Sequence, residues 1–201
     1  MIAKEKLNIL WSLEQTAEKY ADRVAVSDVN QELTWKELVK KAQVIGAELS
    51  EKVQPGNPVP VLLEKSSETL AVMLGIVYAG CFYVPVNPMN PTERLRKIME
   101  KLDPEVIISD EKGKEQLAAV GNGLENKVMG PEALTTATGT ELSEEQYSRL
   151  EQIQGQWKET DVLYGIFTSG STGTPKAIVV SHGAAGLSVI LQKSLRLHQR
   201  M

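Results

Sequence analysis

Apolar positions along this chain alternate between two patterns, stripes at helical spacing and short unbroken runs between them. Leu7, Leu10, Leu13, Ala17 and Tyr20 recur every three or four residues and predict a first amphipathic helix. Val24-Ala25-Val26 predicts a short strand. Thr34 and Glu37 then form a capping-box signature ahead of the stripe Trp35, Leu38, Ala42, Ile45 and Leu49. After a Pro/Gly turn over 54–58, Val59 to Leu63 is the continuous run of a strand buried on both faces. Ser66 opens the next helix, with Leu70, Met73, Leu74, Val77 and Tyr78 as its predicted stripe and Gly80 placed to end it. Cys81 to Val86 reads as another buried strand, with Pro85 implying a strand end or an edge.

A third helix is predicted from Asn90-Pro91-Thr92-Glu93, with Pro at its first position and Glu93 completing a capping box. Leu95, Ile98, Met99 and Leu102 form its stripe, and Glu105 to Ser109 is the strand that follows. Helices alternating with strands predict an α/β fold, a mostly parallel sheet flanked by helices. No G-x-G-x-x-G accompanies it, so no nicotinamide cofactor is assigned.

The pattern weakens over 110–160. Gly121-Asn122-Gly123 marks a turn, Leu124 to Met129 a weak strand, and Gly130 to Thr140 a polar loop. Ser143 and Gln146 can cap a helix bearing Tyr147, Leu150, Ile153 and Trp157. Glu144 and Glu145 suit the positive end of that helix, and as neighbours they point to different sides, unlike a catalytic carboxylate pair. The chain thus divides into a repeated helix–strand unit (1–109), a less regular connecting segment (110–160), and a strand–loop–strand unit running into a helix (161–201).

That last unit holds the chemistry. The run Val162 to Phe167 ends in Thr168-Ser169-Gly170-Ser171-Thr172-Gly173-Thr174-Pro175-Lys176, and a second run, Ala177 to Val180, follows. Gly170 and Gly173 tolerate positive φ and let the backbone approach a ligand closely. Successive N–H groups in such a bend form a concavity for anions. The hydroxyls of Thr168, Ser169, Ser171, Thr172 and Thr174 add rotatable donors, and Lys176 adds a cation behind a stiffening Pro175. This composition predicts a polyphosphate loop. A Walker A loop is excluded, because the glycines are three apart, Ala177 follows the lysine, and the next element reads as a strand. A flexible Ser/Gly linker or a solvated hairpin tip is the plainer alternative, but a linker rarely sits between two β-branched runs and ends in Pro-Lys.

Composition narrows the classes. Hydrophobic residues at 42% and charged residues at 24% are ordinary for a globular chain, and the net charge of −4 gives no general attraction to nucleic acid. The single cysteine, Cys81, lies among apolar neighbours and reads as a buried structural thiol. No run is long enough to span a bilayer, and the N-terminus lacks a signal-peptide core, so a soluble, reduced, cytoplasmic setting is expected, with no membrane partner. His182 enters the last predicted helix, with Leu187, Ile190, Leu191 and Leu195 on one face. A helix-entry role is favoured for it over ligand approach, and His198 reads as solvated. No Ser-His-Asp set or metal cluster is visible.

The loop resembles the phosphate-loop signature of adenylate-forming enzymes, in particular the amino-acid adenylation domains of nonribosomal peptide synthetases. Ala177 stands where that family usually has glycine. Two further stretches are similar in the same order: Leu33-Thr34-Trp35-Lys36-Glu37-Leu38, and Tyr78 to Pro88, where Asn87 replaces the usual aspartate. The resemblance implies the N-terminal part of such an enzyme's large subdomain. It implies ATP and Mg²⁺, an amino acid or other carboxylate activated as an acyl-adenylate with release of pyrophosphate, and transfer to phosphopantetheine on a carrier protein. Thr168 to Lys176 would hold the β- and γ-phosphates, with Lys176 stabilising their charge and no certain catalytic residue. The Mg²⁺ ligands, carboxylate pocket and acidic ribose ligand are expected beyond Met201, so the isolated chain is expected to be an incomplete, inactive fragment. The alternative expectation is a non-catalytic unit acting by self-association or by complementing a partner fragment, because a parallel sheet cut short leaves an edge and apolar surface uncovered.

Overall fold

The computed structural model describes residues 8–135, 141–168 and 175–186. Helix α1 (Ile9–Tyr20) is capped by Asn8, whose side chain accepts the Leu10 N–H at 2.8 Å, and buries Leu10, Leu13 and Ala17. Leu7 lies outside the described residues. Strands β1 (Val24–Ser27) and β2 (Glu32–Thr34) pair antiparallel as a small separate sheet; β2 is an element the apolar pattern did not foretell.

Helix α2 (Trp35–Ser50) starts on the expected capping box. Thr34 Oγ1 accepts the Glu37 N–H at 3.3 Å, and the Glu37 carboxylate accepts the Thr34 N–H at 2.8 Å. Replacing Thr34 with alanine is therefore expected to cost about 1 kcal/mol, read by urea unfolding, with Thr34→Ser close to wild type. Beyond the cap, Leu38, Ala42, Ile45 and Leu49 are buried as the stripe required.

The main sheet has six strands in the order β6-β5-β3-β4-β7-β8. Strands β3 (Pro58–Leu62), β4 (Phe82–Pro85), β5 (Ile107–Ser109), β6 (Val128–Met129) and β7 (Val162–Thr168) run parallel, and β8 (Lys176–Ser181) closes the edge antiparallel to β7. Alternate strand residues enter different layers. Val59, Val61 and Ile108 join α1, α2 and α3 (Ser67–Tyr78) in one core, whereas Leu62, Val84 and Ile107 join α4 (Thr92–Leu102) and α5 (Glu111–Val120) in the other. The parallel sheet flanked by helices is thus as the sequence led one to expect, and Pro85 does end its strand.

Four local readings need correction. In α3 the buried arc is Ala71, Val72, Gly75, Ile76, Val77 and Tyr78, while Leu70 is 37% exposed and Met73 and Leu74 are half-buried. The helix is covered by the sheet on one side and by α2 on another, so its small residues are buried too and the largest apolar side chains do not mark the arc's centre. At α4 the N-cap is Pro91, with no side-chain cap bond. Glu93 sits too near the helix start to reach back, and pairs instead with Arg96 at 2.7 Å. Leu124–Lys127 is a 3₁₀ turn, leaving only Val128–Met129 as strand. Finally, the expected polar loop contains the short helix α6 (Pro131–Thr135), begun by proline at its first position and anchored by the fully buried Leu134; residues 136–140 lie outside the described residues.

Helix α5 was not read from the sequence, although Asp110 caps it by accepting the Gly113 N–H at 2.8 Å. Helix α7 (Glu144–Gly155) begins on the expected Ser143–Gln146 box and buries Leu150, while Tyr147 is half exposed and Trp157 lies past its end.

Candidate functional site

Strands β7 and β8 form an antiparallel hairpin in which Val162 pairs with Ser181 at the base and Thr168 with Lys176 at the tip. The two expected strands are therefore in place, β8 beginning one residue earlier, at Lys176, and running on to Ser181. The hydroxyl of Thr168 donates to the Lys176 carbonyl at 3.5 Å, Pro175 is buried, and Lys176 is exposed with no ion pair among the described residues. Ser169, Gly170, Ser171, Thr172, Gly173 and Thr174, six of the eight predicted ligand residues, lie outside the described residues. The two that are described, Thr168 and Lys176, are cross-strand partners at the carboxyl end of β7.

That location matters because ligands of open α/β sheets bind beyond the carboxyl ends of the strands. Strand β7 is held in the parallel sheet by β4, with Tyr83 and Tyr164 stacked at 5.7 Å between ring centroids. Asn87, the residue standing at the aspartate position of the second motif, follows β4 at the same end of the sheet and accepts the Met89 N–H at 2.8 Å in a local turn.

The base of the hairpin is stitched to the preceding turn. His182 and Gly183 donate their backbone N–H groups to the carbonyls of Asp161 and Glu159 at 3.0 and 2.8 Å. His182 starts a helix over 182–186, as its helix-entry reading required; Leu187, Ile190, Leu191, Leu195 and His198 lie outside the described residues. With Lys176 and Ser181 at opposite ends of β8, His182 is about 20 Å from the tip at 3.4 Å per residue and does not share the loop's site. It is only 4% exposed, and burial pushes its imidazole down to about 4, against the opposing pull of the Asp161 carboxylate.

Among the described residues no three His, Cys, Asp or Glu side chains gather as a metal site. The Cys81 thiol is buried and pushed up to about 12 by desolvation, so it is a protonated packing group that donates to the Gln54 carbonyl at 3.3 Å. No described helix is long and apolar enough to cross a membrane. The sequence did not reveal one further feature, a cavity of about 600 Å³ lined by Arg149, Trp157 and His182 among others. These residues are scattered in sequence and carry no shared motif, so only folding brings them together.

A mostly parallel α/β sheet flanked by helices, closed at one edge by an antiparallel strand, is the class these features define. A family model described as AMP-binding enzyme matches residues 13–200, and the chain belongs to that family of adenylate-forming ligases. It is 34% identical over 170 residues to bacitracin synthase 1 of Bacillus licheniformis, and 32% identical over 183 residues to tyrocidine synthase 1 of Brevibacillus parabrevis. Those stretches are 84% and 90% of this chain but only 3% and 16% of the relatives' lengths. Among solved structures, the N-terminal subdomain of Klebsiella oxytoca NpsA shares the fold at a TM-score of 0.70 and 21% identity, covering 90% of this chain and 41% of that one. The nonribosomal peptide synthetase FmoA3 in its AMPPNP-bound form matches with a TM-score of 0.70 and 25% identity, over 90% of this chain and 18% of that one.

Proposed function

We propose that this chain contributes the ATP phosphate-binding loop of a ligase that activates an amino acid or other carboxylate. In this reading the amides of Ser169 to Thr174, the neighbouring hydroxyls and Lys176 grip the β- and γ-phosphates. A carboxylate oxygen of the substrate attacks the α-phosphorus, the bond to the β-phosphate oxygen breaks, and pyrophosphate leaves with its charge stabilised in the loop. The acyl group then passes to a phosphopantetheine thiol on a carrier protein. Amide N–H and ammonium groups are donors that suit an anion. Neither Mg²⁺ ligands nor the carboxylate pocket is assigned to the residues of this loop. The observation that carries the proposal is the cross-strand pairing of Thr168 with Lys176 at the carboxyl end of β7.

Calorimetric titration with a nonhydrolysable ATP analogue tests it. Lys176→Ala is expected to weaken binding about tenfold, the loss of one charge-assisted contact, with Lys176→Arg intermediate. Equal affinity for wild type and alanine variant takes Lys176 out of the site. Pyrophosphate exchange over an amino-acid panel is expected to be absent for residues 1–201 alone, and robust exchange would refute incompleteness.

One observation favours the second reading, association with a partner fragment or a second copy. Ile166 and Ile178 are cross-strand partners on one face, and Val179 lies on the other; they are 39%, 49% and 57% exposed. An apolar edge strand exposed on both faces is a template for further pairing. Light scattering at rising concentration reads this directly: a mass that stays monomeric argues against it.

A further inference from the structure

We propose that the cavity at the amino ends of β4 and β7 binds a small carboxylate with an apolar body, at a site separate from the hairpin tip. Its volume of about 600 Å³ is that of a small-molecule site. Leu10, Val77, Phe82, Ile153 and Val162 supply apolar wall, and Arg149, Trp157, Lys158, Asp161 and His182 supply polar groups.

Two of those polar groups lack partners. The indole N–H of Trp157 and Nδ1 of His182 are both buried and make no hydrogen bond among the described residues, although the rings meet edge-on at 5.6 Å. Native buried polar groups are nearly always satisfied, so a pair of neighbouring orphans needs an explanation. An indole nitrogen only donates, and a neutral imidazole with its hydrogen on Nδ1 offers a second donor there. Burial keeps this imidazole neutral at ordinary pH.

Arg149 spends one N–H on the Ser50 carbonyl and has others free in its fork. The Asp161 carboxylate is already engaged, accepting the Lys158 N–H at 2.8 Å. The wall therefore carries two cations against one anion, and neither the indole N–H nor the imidazole Nδ1, a donor in the tautomer the proposal requires, meets a partner among the described residues. A carboxylate supplies two acceptor oxygens for these donors, and an apolar body matches the remaining wall. This site stands on its own residues and does not depend on the phosphate-loop reading.

Benzoate is the probe, with neutral benzamide as its control, on ¹⁵N-labelled protein of residues 1–201. The Trp157 indole signal is assigned by its disappearance in Trp157→Phe. Benzoate is expected to move that signal with a Kd on the order of 1 mM, and benzamide to move it far less. Arg149→Gln is expected to weaken benzoate about tenfold; Arg149 is exposed, so the variant should fold, and Arg149→Lys should recover part of the loss. An indole signal that benzoate leaves in place overturns the proposal, as it would if the indole already donates to His182 Nδ1 internally. Equal response to benzamide, or no effect of Arg149→Gln, also overturns it. Shifts confined to the Lys176 end of β8 would mean that benzoate binds elsewhere, and they overturn it too.

Discussion

Gly75→Ala is expected to destabilise the protein by about 2 kcal/mol, the cost of forcing an extra methyl into a filled core. A Cβ built on Gly75 would stand 2.4 Å from Ile45 Cγ2, 2.6 Å from Ile45 Cβ and 3.0 Å from the Ala42 carbonyl oxygen. None of these is the free end of a flexible side chain. Ile45 is fully buried and Ala42 O is backbone, so relief requires α2 and α3 to move apart. The reciprocal contact is equally close, because a Cβ on Gly46 would lie 2.5 Å from Tyr78 Cβ. Chemical unfolding of Gly75→Ala, Ile45→Ala and the double variant measures the effect. Deleting the Ile45 branch alone leaves a cavity worth about 2–5 kcal/mol. Combined with Gly75→Ala, the new methyl enters part of that space, so the double variant should lose less than the sum. Strict additivity would show that the helices do not meet through these two residues.

Acid should weaken the protein through His182. An imidazole buried neutral in the folded state titrates near 4, whereas in an unfolded chain it titrates near its ordinary 6.5. As the pH falls through that window the unfolded state takes up a proton that the folded state refuses, so stability drops with falling pH. The drop levels off below the folded value. At 1.36 kcal/mol per unit the full loss is about 3 kcal/mol. Urea midpoints between pH 7 and pH 4.5 should follow this slope, and His182→Gln should flatten it. The carboxylates of Glu37 and Glu93, held below their usual range by Thr34 and Arg96 respectively, begin to lose their stabilisation only as the pH falls past their ordinary value of 4.5, so midpoints measured above that pH report on His182. An imidazole signal that titrates near 6.5 in the folded protein would remove the basis for the slope.

Much of the fold was legible because local chemistry and tertiary need coincide in it. The Thr34–Glu37 and Ser143–Gln146 boxes form as read, since each closes its own bonds within four residues. Val59 to Leu62 is apolar throughout because both faces of a central parallel strand are covered, and that is a property of the run itself. The reading failed where burial depends on what packs alongside. Leu70 looks like core and is exposed, whereas Gly75 looks like a weak helix residue and lies where α3 meets Ile45 of α2 too closely for a Cβ. Leu134, in a stretch that reads as loop, is fully buried beneath a five-residue helix.

Taken alone, the sequence determined the alternation of helix and strand, the parallel sheet that follows from it, and a hydroxyl- and glycine-rich loop ending in Lys176. Those depend on spacing and on side-chain chemistry that act over a few residues. Only the tertiary structure decided that β8 turns back on β7 to set Lys176 opposite Thr168, and that β7 inserts beside β4. It alone gathered Arg149, Trp157 and His182 around one cavity at the far end of the sheet. The physical reason is the same in each case: strand order and the company of a buried polar group come from packing between segments distant in sequence, and no local pattern encodes them.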